Sequence, residues 1–154
     1  MKRVEFAIKK LQDELQGKYV LEAACGCAEF SIGACELVDY VECIDIDEKR
    51  LLPEFARLKN VTFCKMDVAE MTYADESFDT VIMYNAVGHL DYVLERAVDE
   101  CIRVLKKRGC LAVVSSSKMD KYVVTEKLIP LLQFRKMNYI LTEEKVFTIV
   151  RIVK

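Results

Sequence analysis

Short, almost uninterrupted apolar runs recur along this chain with amphipathic stretches between them, and that alternation leaves few folds open. The runs at 19–23, 41–46, 61–64, 80–84 and 111–115 have the length of strands. Successive side chains of a strand point to opposite sides of a sheet, so a run apolar at consecutive positions must be covered on both faces. The intervening stretches, at about 28–39, 48–58, 91–107 and 119–136, space their apolar residues as helices do. In the longest, Leu94, Ala97, Val98, Cys101, Ile102 and Leu105 form one stripe, and Gly109 follows as the expected cap. A first helix is predicted over 3–16, with Val4, Ala7, Ile8, Leu11 and Leu15 on one face and Gly17 as its stop. Strands alternating with helices predict a parallel sheet between two helical layers. The last segment, "NYILTEEKVFTIVRIVK", reads as two strands joined around Glu143 to Lys145. That connection is too short for a crossover helix, so the pair must be antiparallel. Pro130 should kink or break the helix before them. The expected architecture is an α/β fold: a three-layer α/β/α sandwich around a seven-stranded, mostly parallel sheet with an antiparallel C-terminal strand.

A chain of 154 residues is expected to form a single domain over 1–154, burying about two thirds of its unfolded surface. The apolar runs are too short to cross a bilayer, and "MKRVEFAIKK" interleaves charge with apolar residues, so it reads as neither a signal peptide nor an anchor. The net charge of −2 gives no global electrostatic case for binding nucleic acid. The seven cysteines are an odd number and lie mostly in apolar segments, as reduced thiols do in a cytoplasmic protein. Cys25 and Cys27 are close together, but no CxxC pair or nearby histidine completes a tetrahedral metal set.

In an open parallel sheet, ligands bind beyond the carboxyl ends of the strands, where the strand order reverses. The turn from Glu22 to Glu29, after the first strand, should lie there. A dinucleotide site needs glycines at alternate positions so that the backbone can approach a pyrophosphate. Here those positions read Ala24, Gly26 and Ala28, and Glu29 would repel a phosphate. S-adenosylmethionine carries no phosphate, and its amino-acid portion need only lie against the backbone at Gly26. The second strand ends at Asp45, whose carboxylate can accept hydrogen bonds from both ribose hydroxyls, or can equally cap the next helix. Glu22 ends a buried strand, where a carboxylate without a partner is costly.

These motifs resemble the class I S-adenosylmethionine-dependent methyltransferases. "VLEAACGCAEFSIG" looks like the family's first motif, with its acid at Glu22 and central glycine at Gly26. "VECIDIDEKRL" looks like the second, which implies Asp45 as the ribose ligand and Ile46 beside the adenine. "NVTFCKMDVAEMTYADESFDTVIMYNAVGHL" matches the middle of the family's chain, with Asp67 and Val68 where a side chain and an amide meet the adenine. "ECIRVLKKRGCLAVV" resembles its last parallel helix and strand. The resemblance covers about residues 18 to 116 and implies a methyltransferase-like domain binding S-adenosyl-L-methionine and releasing S-adenosyl-L-homocysteine. It departs from the family at Ala24 and Ala28, which replace two usual glycines and bear on cofactor affinity, and at Lys107 and Arg108, which replace a usual proline and glycine.

Methyl transfer requires a nucleophile held in line with the sulfonium methyl, and little obligatory acid–base chemistry. Tyr84, Asn85 and His89 follow the fourth strand and are the candidates beside the reacting centre. The resemblance implies that Asn85 contacts the methionine end of the cofactor. His89, the single histidine, can accept the nucleophile's proton, or it can simply cap a helix or sit on the surface. Glu100 and Arg103, one helical turn apart, read as an ion pair on the helix leading into the fifth strand. No substrate-recognition insertion is present, and the helix over 1–17 is the one segment placed to act as a lid. The open site expected from this admits a small-molecule acceptor, favoured over a macromolecule, with a homodimer partner or a recognition subunit to complete it. A non-catalytic binding subunit with the same fold is the alternative.

Overall fold

A computed structural model describes residues 2–154. Its seven strands are β1 (Tyr19–Ala23), β2 (Tyr40–Asp45), β3 (Val61–Lys65), β4 (Phe78–Tyr84), β5 (Leu105–Ser115), β6 (Tyr139–Glu143) and β7 (Thr148–Val153). They form one sheet in the order β3-β2-β1-β4-β5-β7-β6. The first five are parallel, while β7 runs antiparallel to both β5 and β6. The strand order reverses between β1 and β4, which opens a crevice at their carboxyl ends.

The period of two along the strands divides the core. Leu21, Val81, Met83, Leu111 and Val113 pack with the helices α4 (Leu94–Val104), α5 (Lys118–Val123) and α6 (Ile129–Phe134). Val20, Val41, Ile82, Ala112 and Val114 pack on the other face with α1 (Arg3–Lys10), α2 (Gln12–Leu15) and α3 (Glu29–Ala34). The three layers and the antiparallel end of the sheet are those the sequence predicts. Among the described residues, no helix is long and apolar enough to cross a membrane.

Four local expectations are corrected. The helix predicted over 48–58 is instead two short 3-10 turns, Glu48–Arg50 and Pro53–Arg57, because Leu52 precedes a proline and is held extended. The helix predicted over 28–39 is confined to Glu29–Ala34. The stripe at 91–107 is a 3-10 segment, Val87–Val93, followed by α4, and the chain passes at Leu105 directly into β5. Gly109 therefore caps no helix. It lies in the irregular start of β5, where a Cβ would stand 2.7 Å from the Asp79 carbonyl oxygen. Pro130 lacks the N–H that would bond to Glu126, and a π turn over Val124–Leu128 interrupts the regular helix between α5 and α6 there, the irregularity expected at this proline.

The loop from β3 to β4 carries Asp67 and Val68 and is pinned from α4. Arg103 donates to Glu100 Oε1 at 2.7 Å, to the Tyr73 carbonyl at 2.7 Å and to the Met71 carbonyl at 3.1 Å. Glu100 accepts from the Met71 amide at 2.7 Å. Arg103→Met removes the donors of two carbonyls and of the Glu100 and Asp75 carboxylates together, and is expected to cost about 2 kcal/mol. Urea unfolding checks this, and a midpoint indistinguishable from that of the parent chain would show that the loop holds itself.

Candidate active site

The turn after β1 is shaped by alternate residues in the left-handed region. Ala24 has φ 56°, Gly26 φ 56° and Ala28 φ 61°. These are the three positions at which a dinucleotide fold would carry glycine, and an L-residue there costs about 1–2 kcal/mol. Neighbours hold the turn in that shape. The Cys25 amide donates to the Ile44 carbonyl at 2.9 Å, and the Gly26 amide donates to Asp45 Oδ2 at 2.8 Å. Asp45 Oδ1 accepts from the Asp47 amide at 2.9 Å, so the carboxylate that ends β2 is fixed by both oxygens.

Beneath the turn, Glu22 is 1% exposed. Its Oε2 accepts from the Ser31 amide at 3.1 Å and from the Ser31 hydroxyl, tying the end of β1 to the first turn of α3. Burial raises its pKa from the ordinary 4.5 to about 7, against the two hydrogen bonds from Ser31, which pull it down.

A cavity of about 450 Å³ opens above the turn. Nine of the ten residues expected from the sequence line it: Ala24, Gly26, Asp45, Ile46, Asp67, Val68, Tyr84, Asn85 and His89. Glu22 does not. Both bonds from Ser31 reach its Oε2 beneath the turn, so in this structure Glu22 supports the turn from below rather than lining the cavity. Ile46 lies 64% exposed at the cavity while Val68 is buried in its wall, which leaves apolar surface on either side of Asp45 and Asp67. Asn85 has φ 49°, and its Oδ1 accepts from the Ser116 amide at 2.8 Å and the Ser116 hydroxyl at 3.0 Å. Those two bonds lock the carboxyl ends of β4 and β5 and leave the Nδ2 donor available.

On the far side, burial and then the charge of Glu29 push the Tyr84 phenol up to about 12. At neutral pH it is therefore a hydrogen-bond donor and not a base. His89 is exposed at the rim, on the 3-10 segment Val87–Val93. That segment is anchored from α5: buried Asp120 accepts from the Gly88 amide at 2.8 Å and from the Ser117 hydroxyl at 2.6 Å. Helix α1, the segment expected as a lid, contributes no residue to the cavity wall.

Sequence reasoning missed half of the lining residues, Glu29, Asp47, Arg50 and Tyr92 among them, and Asp120 as an anchor. In the sequence Glu29 reads as a charge that repels phosphate, and in the fold it is part of the wall itself. The others gave no local signal, since Arg50 reads as helix surface and Asp120 lies 31 residues beyond His89.

The family profile described as "Methyltransferase domain" matches residues 21–113, from β1 into β5. The chain belongs to the methyltransferase-domain family. Among its relatives, a "probable S-adenosylmethionine-dependent methyltransferase" of Mycolicibacterium smegmatis is 28% identical over 118 residues, which is 77% of this chain and 46% of the relative. A demethylmenaquinone methyltransferase of Alkalihalophilus pseudofirmus is 29% identical over 111 residues, 66% of this chain and 46% of that protein. The chain thus spans about half the length of the relatives it matches. In fold, this methyltransferase domain is similar to the crystal structure of a SAM-dependent methyltransferase from Aquifex aeolicus, with a TM-score of 0.78 at 17% identity over 97% of this chain and 88% of that one. It is also similar to the YcgJ protein of Bacillus subtilis, with a TM-score of 0.76 at 18% identity over 91% and 70%.

The buried acid under the methyltransferase turn gives a pH signature. The folded state holds the Glu22 proton more tightly than the unfolded chain does. The stability from this group is therefore complete below pH 4.5 and is lost as the pH rises through about 7. Glu22→Gln removes that loss, so unfolding free energies of the two proteins from pH 5 to 8 should diverge in favour of the variant as pH rises, by up to about 3 kcal/mol. Parallel curves would mean that Glu22 does not titrate in this window.

Proposed function

We propose that this chain is an S-adenosyl-L-methionine-dependent methyltransferase acting on a small-molecule acceptor in a cytoplasmic setting. The observation that carries the reading is the Asp45 carboxylate at the floor of the cavity, oriented by two amides and flanked by the exposed Ile46 and the buried Val68. An oriented acceptor beside an apolar slot suits a ribose and its base. The wall supports the same choice by its charge. It carries four carboxylates, Glu29, Asp45, Asp47 and Asp67, against one guanidinium, Arg50. Such a wall disfavours a pyrophosphate and favours a cationic ligand.

In this reading Asp45 accepts from the ribose hydroxyls, Ile46 and Val68 flank the adenine, and Asp67 faces its amine. The backbone of Ala24 and Gly26 and the Asn85 amide lie along the amino-acid tail. The sulfonium of the bound cofactor supplies an electrophilic methyl group. The chain's task at that point is placement: Tyr84 donates a hydrogen bond to the acceptor, and His89 is available at the rim to take its proton. A concave cavity of about 450 Å³ suits a small acceptor better than a flat docking surface would.

Calorimetry with S-adenosylmethionine and S-adenosylhomocysteine tests this directly, with binding expected to both; no heat at millimolar ligand would end the assignment. Asp45→Asn should weaken binding by about 2 kcal/mol, roughly thirtyfold, because a charged acceptor becomes neutral. An unchanged affinity would move the ribose elsewhere.

A further inference from the structure

We infer that Arg50 is the carboxylate receptor of the site and selects ligands that carry an amino-acid tail, an inference that rests on the cofactor reading above. Arg50 belongs to the 3-10 turn after β2 and is exposed there. Its guanidinium nevertheless lies back over the turn of β1. A Cβ built on Gly26 would stand 3.5 Å from one terminal nitrogen, 3.6 Å from the central carbon and 3.7 Å from the other nitrogen. Three such similar distances describe a planar group lying roughly flat across the glycine, with its in-plane N–H donors directed sideways along the cavity wall. At 3.5 Å a methyl at position 26 would make ordinary contact, so what holds this position to glycine is φ 56° and not the arginine above it.

Charge completes the assignment. The cofactor has two cationic centres, the sulfonium and the ammonium, and one anion, the α-carboxylate. The four wall carboxylates match the cations, and Arg50 is the one guanidinium or ammonium side chain in the wall to match the anion. Among the described residues Arg50 forms no ion pair with another side chain, so its donors are not committed elsewhere. A guanidinium presents two parallel donors to a carboxylate, which a point charge does not.

The test pairs two ligands with three proteins. S-adenosylhomocysteine carries the tail, and 5′-methylthioadenosine keeps the nucleoside and sulfur but lacks the amino-acid group. The parent chain should bind both. Arg50→Gln should weaken S-adenosylhomocysteine about tenfold or more and leave methylthioadenosine within about twofold, and Arg50→Lys should fall between, since it keeps the charge and loses the fork. Equal losses for both ligands, or no loss for either, would overturn the assignment of Arg50 while leaving the cofactor reading in place. Failure of the parent chain to bind either nucleoside would remove both.

Discussion

A carboxylate cut off from water at the end of the central strand sets the terms for everything above it. Glu22 cannot be left without donors at 1% exposure, and its nearest supply is the first turn of α3. The Ser31 amide and hydroxyl meet that need, which fixes how far α3 stands from β1 and therefore how the chain between them must turn. Five residues, 24–28, have to cross that gap. They do so by alternating left-handed and ordinary conformations, and the result is a backbone that presents Gly26 to the crevice. Asp45 then ties the same turn to the neighbouring strand. The floor of the cavity is thus held from two sides by acids, one buried and one facing the ligand.

This explains how a turn with one glycine keeps a shape usually written with three. The conformational cost at Ala24 and Ala28 is real, but it falls on a segment already constrained at both ends. Ala28 also buries its methyl completely against the core beneath α1 and α3, which returns part of that cost. Asp45, which holds the turn, also lines the cavity, so the same residue that relaxes the demand for glycine adds negative charge to the wall.

The sheet and half of the cavity wall were legible in the sequence because both follow from short-range patterns. Continuous apolar runs gave the parallel strands, with β1 placed at the residues expected, an acid at a strand end gave Asp45, and the resemblance in motif order gave Asp67. The errors share a physical origin in chain punctuation that periodicity does not record. Pro53 held Leu52 extended and divided one expected helix. Gly109 read as a cap because helices often end on glycine, yet it serves a close backbone approach within β5. Arg50 and Asp120 were invisible for a different reason. Each acts across a distance in sequence, and only the folded chain shows which turn an arginine lies over or which amide an aspartate reaches.

The two halves of the cavity are mounted differently. Asp45, Asp67 and the Gly26 turn stand on the sheet and the loop that α4 pins, while His89, Leu90 and Tyr92 hang from α5 through the bond between Gly88 and Asp120. Helix α5 runs on through a π turn into α6, so this wall belongs to a helical arm with its own irregular joint. Loosening that joint would shift this wall while the turn over Gly26 and Asp45 stayed in place, which gives the two sides of the cavity a mechanical independence from one another.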